Sequence, residues 1–235
     1  MKVILALPAY NEEMGLAAIL PEFGGQMDAH RLEHAAVVVD DGSTDRTVMV
    51  VRDRATIIQH EVNQGLGRTI EAALRHACDL SRPGDVIVTM DADNTHPVSL
   101  IPRMLARIED GYDVVIASRY RPGARVVGLS CVRHLMSYGA RFLYQVLCPI
   151  TGVRDYTCGF RAYRADVLKR AFSNGPVVTE RGFASMAEIL LRLRKLGSRI
   201  SEVPVVLRYD QKDGASKNRL GATVLATLRV AWRNR

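Results

Sequence analysis

Cysteine is scarce in this chain and patternless. Cys78, Cys131, Cys148 and Cys158 form no Cys-x-x-Cys pair and show no metal spacing with the six histidines. That speaks against a disulfide framework or a zinc site and fits a reducing compartment. Long apolar runs are also missing: the N-terminal one, Val3 to Leu7, stops at Pro8. It is too short for the core of a signal peptide or a bilayer span, so the expectation is a cytoplasmic protein with neither. Aromatic residues make up only 6% of the chain, leaving no stripe on which nucleic-acid bases would stack. No internal repeat or low-complexity segment is visible, and 235 residues suit one domain, 1–235.

The charge is unevenly placed. The formal net charge of +7 divides into 10 Lys/Arg against 18 Asp/Glu over residues 1–117, and 22 against 7 over residues 118–235. A basic half can hold phosphates, a membrane surface or nucleic acid, and charge alone does not choose among them. The first half contains the most informative stretch, Val86-Ile87-Val88-Thr89-Met90-Asp91-Ala92-Asp93-Asn94-Thr95-His96-Pro97. An apolar run of strand length ends in two carboxylates, and the proline stops the strand. A solvated acidic turn would show the same spacing. At the carboxyl edge of an open α/β sheet, however, two close carboxylates call for a cation, and Mg²⁺ is commonly shared between one or two carboxylates and substrate phosphates.

Other segments repeat the design. Val3 to Leu7 reads as a strand leading into Pro8-Ala9-Tyr10, with Asn11 as helix cap and Glu12 and Glu13 in the first turn. Ala35 to Val39 is a strand ending in Asp40-Asp41-Gly42-Ser43-Thr44-Asp45, where Ser43 is positioned to cap the next helix and Asp40 or Asp41 to meet a nucleoside. Thr56 to His60 is a strand, and Gly65-Leu66-Gly67 opens a helix where a backbone approach would favour an anion. A helix near 98–109 and a strand near 113–117 complete an alternation that implies a parallel, doubly wound sheet. Beyond it, 133–147 reads as a helix, either half-buried or lying near lipid. Residues 155–161 read as a short strand or turn, 165–171 and 183–196 as helices, 200–207 as a last strand, and 220–232 as an amphipathic end.

Taken together, Pro8-Ala9-Tyr10-Asn11-Glu12, Val39-Asp40-Asp41-Gly42-Ser43-Thr44-Asp45, Gly65-Leu66-Gly67, Met90-Asp91-Ala92-Asp93, Ser118-Arg119-Tyr120, Thr157-Cys158-Gly159-Phe160-Arg161, Glu202-Val203-Pro204 and Gly214-Ala215-Ser216-Lys217 resemble the family 2 inverting glycosyltransferases. Within these, they resemble the polyprenyl-phosphate (dolichyl-phosphate) mannose synthases. The resemblance implies an α/β GT-A fold, a Rossmann-like, mostly parallel sheet flanked by helices. It implies donor binding by Pro8, Tyr10, Glu12, Asp40, Asp41, Gly67 and Asp91, and a Mg²⁺ or Mn²⁺ ion on Asp91 and Asp93 with Thr95 as a further ligand. Asp91, Asp93 and Arg119 would be catalytic. Arg119, Arg133, Ser137 and the Lys217 loop would face the phosphates, with Arg208 or Lys212 standing in for an arginine expected at Gln211. Residues 1–117 would form the nucleotide-binding half and 118–235 the acceptor half.

The implied reaction moves a hexose from a nucleotide sugar of the GDP-mannose or UDP-glucose type to a polyprenyl phosphate. It would take place at the inner face of the cell membrane on a peripheral protein, with no nucleic-acid partner. A phosphate monoester needs no general base, because its second ionisation lies near pH ~6. A hydroxyl acceptor would need one, and Asp155, Glu180 and Glu188 are the candidates.

Overall fold

The apolar runs of the first half become β1 (Lys2–Ala9), β2 (Glu33–Asp40), β3 (Thr56–Gln59), β4 (Val86–Thr89) and β5 (Val114–Ser118). Between them lie α1 (Glu13–Ala29), α2 (Thr47–Val51), α3 (Leu66–Leu80) and α4 (Ile101–Glu109). The second half adds β6 (Arg125–Val127), α5 (Cys131–Leu147), β7 (Arg161–Arg164), α6 (Ala165–Ser173), α7 (Ala184–Lys195), β8 (Ile200–Pro204), β9 (Val206–Arg208) and α8 (Leu220–Asn234). The structure is a computed structural model that describes residues 1–211 and 220–234. Among these, seven strands form one sheet in the order β3-β2-β1-β4-β7-β5-β8, and β6 and β9 form a small second sheet. Residues such as Val3, Ile4, Leu5, Val37, Val38, Ile87 and Val115 are fully buried, as expected for strands covered on both faces.

The register aligns the strand ends. Pro8 stands opposite Val39, Ala9 opposite Asp40, and Ala6 opposite Thr89, so the acidic turns after β1, β2 and β4 share the carboxyl edge. The turn after β1 departs from the sequence reading. Asn11 does not cap α1; it takes a left-handed conformation (φ 53°), and its side chain accepts the Thr44 N–H at 2.7 Å. Ser43 likewise does not cap α2, since its hydroxyl accepts the Asn11 N–H at 2.8 Å while Asp45 accepts the Thr47 N–H at 2.9 Å. Both polar side chains tie the two turns to each other, which their spacing of 32 residues conceals in the sequence.

β7 is the antiparallel member. It lies between β4 and β5, with Arg161 opposite both Thr89 and Ile116. Because it runs against its neighbours, it begins where they end. Thr157, Cys158 and Gly159 therefore arrive at the same edge as Asp91, and the Thr89 hydroxyl donates to the Gly159 carbonyl at 2.8 Å. The last strand is broken in two: Pro204 cannot donate to a ladder, and the chain leaves β5 to pair β9 with β6. That bend carries Leu207 and Arg208 over the edge, where the Arg208 N–H donates to the Thr95 carbonyl at 3.1 Å.

α5 packs on α8, and α8 also on α7. α5 is half-buried: Tyr144 and Cys148 are buried while Leu135 and Phe142 are 75% and 70% exposed. On α8, Leu225 and Trp232 are exposed as well. No helix among the described residues is long and apolar enough to cross a membrane.

Candidate active site

The loop after β4 is pinned from behind. Gly15 of α1 packs on it so closely that a Cβ there would fall 2.0 Å from the Ala92 carbonyl oxygen. Within the loop, the Thr95 N–H and hydroxyl both donate to Asp93 Oδ1, at 3.2 and 2.7 Å, so Thr95 orients Asp93. The third potential metal donor is His96: atoms of Asp91, Asp93 and His96 lie within 4.8 Å of one another. The His96 ring leans on Phe160, and its Nδ1 accepts the Asp91 N–H at 3.3 Å. An imidazole three residues past the second carboxylate was the available signal, and the sequence reading gave it no role.

The donor-side residues divide by how engaged they are. Asp41 is buried and braces its surroundings: it binds His60 Nδ1 at 2.8 Å and accepts the Gln64 and Gly65 N–H groups at 2.9 Å each. Asp40, equally buried, meets only the Ser43 N–H among the described residues, at 3.3 Å from each oxygen. Asp40 is therefore the less engaged of the two acids. The Glu12 N–H donates to the Thr47 hydroxyl at 2.9 Å, and Glu12 borders a small cavity of about 80 Å³ that also touches Asp93. Tyr10 is half-buried on the same edge, and Pro8 lines the larger cavity described below.

Gly67 does not leave the start of α3 open to an anion. Its N–H donates to the Arg181 carbonyl at 2.8 Å, and a Cβ would fall 1.7 Å from the Glu180 carbonyl oxygen. The close approach that this glycine permits is made by the chain itself.

From the basic half, Arg119 reaches the edge held by Asp155. Nε and Nη2 of Arg119 meet the two carboxylate oxygens at 2.8 and 2.7 Å, and Nη2 also donates to the Thr157 hydroxyl at 2.6 Å. Burial alone would raise the Asp155 pKa. The adjacent guanidinium and the N–H donors outweigh it and hold Asp155 below the usual carboxylate range, while Arg119 is held well above its own. Ser137 of α5 shares a hydrogen bond of 2.5 Å with the Tyr120 hydroxyl. Arg133 lies on the first turn of α5. Arg208 pairs with its neighbour Asp210 at 2.8 Å on an exposed surface. Lys212 and Lys217 lie outside the described residues.

A cavity of about 460 Å³ joins these parts. Its lining combines the polar residues Asp91, Asp93, His96, Arg119, Thr157 and Tyr209 with the apolar residues Ile70, Met136, Ala140, Leu143, Phe183 and Leu228. Tyr209 escaped the sequence reading. Burial pushes its hydroxyl up to about 12, with Arg119 pulling the other way and Asp91 adding to the rise. Among the described residues, Asp91 and Asp93 are the only carboxylates lining the cavity. The candidate bases are engaged elsewhere: Asp155 with Arg119, Glu180 with Arg229 and Arg233 at 3.3 and 3.7 Å, and Glu188 with the Thr179 and Glu180 N–H groups at 2.8 and 3.0 Å.

A mostly parallel sheet with an acidic pair at its carboxyl edge and helices on both sides defines a GT-A nucleotide-sugar transferase fold. Solved structures agree. Glucosyl-3-phosphoglycerate synthase from Mycobacterium tuberculosis with Mn²⁺, UDP and glucosyl-3-phosphoglycerate superposes with a TM-score of 0.68 at 21% identity, over 98% of this chain and 77% of that one. The same enzyme with Mn²⁺, UDP-glucose and phosphoglyceric acid gives 0.70 at 19% identity, over 99% and 80%.

The glycosyl transferase family 2 model matches residues 5–172, and the chain belongs to that family. It is 31% identical over 223 residues to the undecaprenyl-phosphate mannosyltransferase of Micrococcus luteus, covering 92% of this chain and 87% of that protein. It is also 31% identical over 239 residues to the dolichol-phosphate mannosyltransferase of Pyrococcus furiosus, of whose length it spans 63%. The dolichyl-phosphate hexose transferase of Haloferax volcanii is 31% identical over 213 residues, covering 91% of this chain and 85% of that protein.

Proposed function

We propose that this glycosyltransferase moves a hexose, mannose by preference, from a nucleoside diphosphate sugar to the phosphate of a polyprenyl lipid, with inversion at the sugar carbon. The observation that carries the reading is the mixed lining of one cavity: two carboxylates and a guanidinium together with a large set of apolar side chains. A lipid phosphate has that mixed character. A cavity of this volume suits a ligand of drug size, enough for the phosphate and the nearest part of the chain. The names of the curated relatives support a mannosyl or hexosyl group and a polyprenyl-type lipid phosphate.

Two carboxylates and one imidazole make a donor set for a divalent cation, and the imidazole favours Mn²⁺ over Mg²⁺. Asp91 and Asp93 would hold the ion, with His96 joining by giving up the Asp91 N–H, and its positive charge would stabilise the leaving diphosphate. Thr95 keeps Asp93 oriented. Asp40, with Tyr10, Glu12 and Pro8, would seat the nucleoside, while Asp41 keeps its structural partners. Arg119 would present its remaining N–H groups to phosphate, assisted by Ser137, by Arg208 once freed from Asp210, and by Arg133, Lys212 and Lys217. In the reaction, the bond between the sugar carbon and the diphosphate oxygen breaks as an acceptor phosphate oxygen forms a bond at the opposite face. The acceptor arrives as an anion, so no proton has to be removed. Engagement of Asp155, Glu180 and Glu188 with other groups favours this acceptor over a hydroxyl.

The exposed apolar residues of α5 and α8 beside arginines suit a peripheral position at the inner membrane face, where anionic lipids attract basic segments. Residues 1–117 would serve the donor and 118–235 the acceptor. The test is transfer of labelled mannose from GDP-mannose to a polyprenyl phosphate in detergent with Mn²⁺. The expected result is a labelled lipid product that is lost with chelator and with Asp93→Asn. No product from any common nucleotide sugar would overturn the proposal.

A further inference from the structure

Asp155 is fully buried and does not line the cavity, yet its carboxylate receives five N–H bonds. Three come from Arg119, whose backbone N–H donates at 3.0 Å and whose Nε and Nη2 donate at 2.8 and 2.7 Å. The other two come from the Thr157 and Cys158 backbone N–H groups, at 3.3 and 3.0 Å, so the carboxylate is itself anchored to the main chain. The second Nη2 hydrogen of Arg119 goes to the Thr157 hydroxyl, and one face of the guanidinium lies 5.4 Å from the centre of the Tyr120 ring. Among the described residues, no hydrogen bond is made by Nη1.

From this geometry we infer that Asp155 is a positioning residue. By taking Nε and Nη2, it fixes the plane of the Arg119 guanidinium and leaves the Nη1 edge as the face presented to a phosphate in the cavity. The inference rests on the phosphate-acceptor reading above, and it assigns Asp155 a role other than general base. Two physical effects then compete. By Coulomb's law, an adjacent carboxylate weakens the attraction of Arg119 for phosphate, whereas a fixed fork loses less conformational freedom per hydrogen bond. Two short, charge-assisted bonds from the guanidinium to an anchored acceptor make orientation the larger effect.

The two effects differ in sign, so Asp155→Asn in the full chain separates them. Asparagine keeps the shape but removes the charge and, with its oxygen kept where three donors converge, turns the other acceptor into a donor facing Nε and the backbone N–H of Arg119. The expected result is a rise of roughly tenfold or more in the KM for farnesyl phosphate, from loss of charge-assisted bonds, with the Kd for GDP and Mn²⁺ changed less than about twofold. The pH profile of kcat should keep its shape. Arg119→Lys should raise the same KM, and the double variant should be no worse than Arg119→Lys alone. An unchanged or lowered KM, an equal loss of nucleotide binding, the disappearance of an acidic limb in kcat, or additive effects would each overturn the inference.

Should Asp155→Asn fail to fold, Thr157→Val decides. It removes one acceptor of Nη2 without leaving a buried charge unpaired. A KM increase of about threefold supports the inference, and none refutes it. Absence of transfer by the wild type would count against the acceptor reading instead. Protection by inorganic phosphate in thermal unfolding would then test the positioning, expected to be strong in wild type and weak in Asp155→Asn.

Discussion

Replacing Leu143 by aspartate puts a carboxylate among the apolar residues that line the cavity and leaves Asp91, Asp93 and Arg119 unchanged. Leu143 is partly buried on α5 and lines the enclosure with Met136, Ala140 and Leu228. In the empty protein the new carboxylate keeps access to water, so the fold should tolerate it. A bound lipid chain would remove that water. Completing the burial of a leucine is worth about 1 kcal/mol, roughly half the full value of ~1.5–3 kcal/mol, and that contact is lost. Dehydrating a carboxylate costs up to several kcal/mol, of which ~1–3 kcal/mol is expected at a half-open site. The combined loss of about 2–4 kcal/mol corresponds to a rise of roughly 30- to 1,000-fold in the KM for the lipid phosphate. Leu143→Ala, losing the contact alone, should raise it only about fivefold. The assay is initial-rate transfer to farnesyl phosphate at saturating donor, with nucleotide binding by calorimetry as the control. Equal KM values for Leu143→Asp and wild type would refute the assignment of this enclosure to the lipid.

Gly67→Ala places a methyl group 1.7 Å from the Glu180 carbonyl, so a backbone must move; a loss of at least ~1–3 kcal/mol in urea unfolding is expected. Glu180→Gln should loosen α8, which its carboxylate holds through Arg229 and Arg233. Faster hydrogen exchange in α8 would show this, with a stability change within about 1 kcal/mol because both arginines are more than half exposed. Asp155 has a lowered pKa in the folded state, so its contribution is present above the unfolded value near ~3.9 and is lost as pH falls through the folded one. Stability from this pair should stay flat between pH 5 and 8 and fall below about pH 4 in acid titrations. His96→Ala should weaken Mn²⁺ binding more than Mg²⁺ binding in calorimetry, because imidazole is the donor that distinguishes them.

The carboxyl edge was legible because an apolar run of strand length that stops at paired acids has to leave the core where it stops, and several such runs in one chain point to one shared edge. β1, β2 and β4 lie within two residues of their expected bounds, and Asp91 and Asp93 stand where the sequence placed them. β7 was not legible. Its sequence, Arg-Ala-Tyr-Arg, has charged ends, and nothing local reveals that Arg161 is fully buried with Nη1 and Nη2 donating to the Met186 and Tyr156 carbonyls at 2.6 and 2.8 Å. Gly67 misled for a related reason. A glycine at a helix start has the same signature whether an anion or a distant carbonyl fills the space, and Arg181 lies more than 100 residues away. Asp155, Glu180 and Glu188 read as possible bases because a sequence shows acids without their partners.

The reversed strand inside the sheet also sets the order of assembly. Both neighbours of β7 precede it in the chain, β4 by more than 70 residues and β5 by roughly 45. On the ribosome, at ~5–20 residues per second, β5 would wait on the order of 2–9 s and β4 on the order of 4–14 s before the strand that joins them emerges. Such late, long-range closure makes for slow folding, and pausing translation just after Ser118 should leave a nascent chain that is protease-sensitive and prone to aggregate.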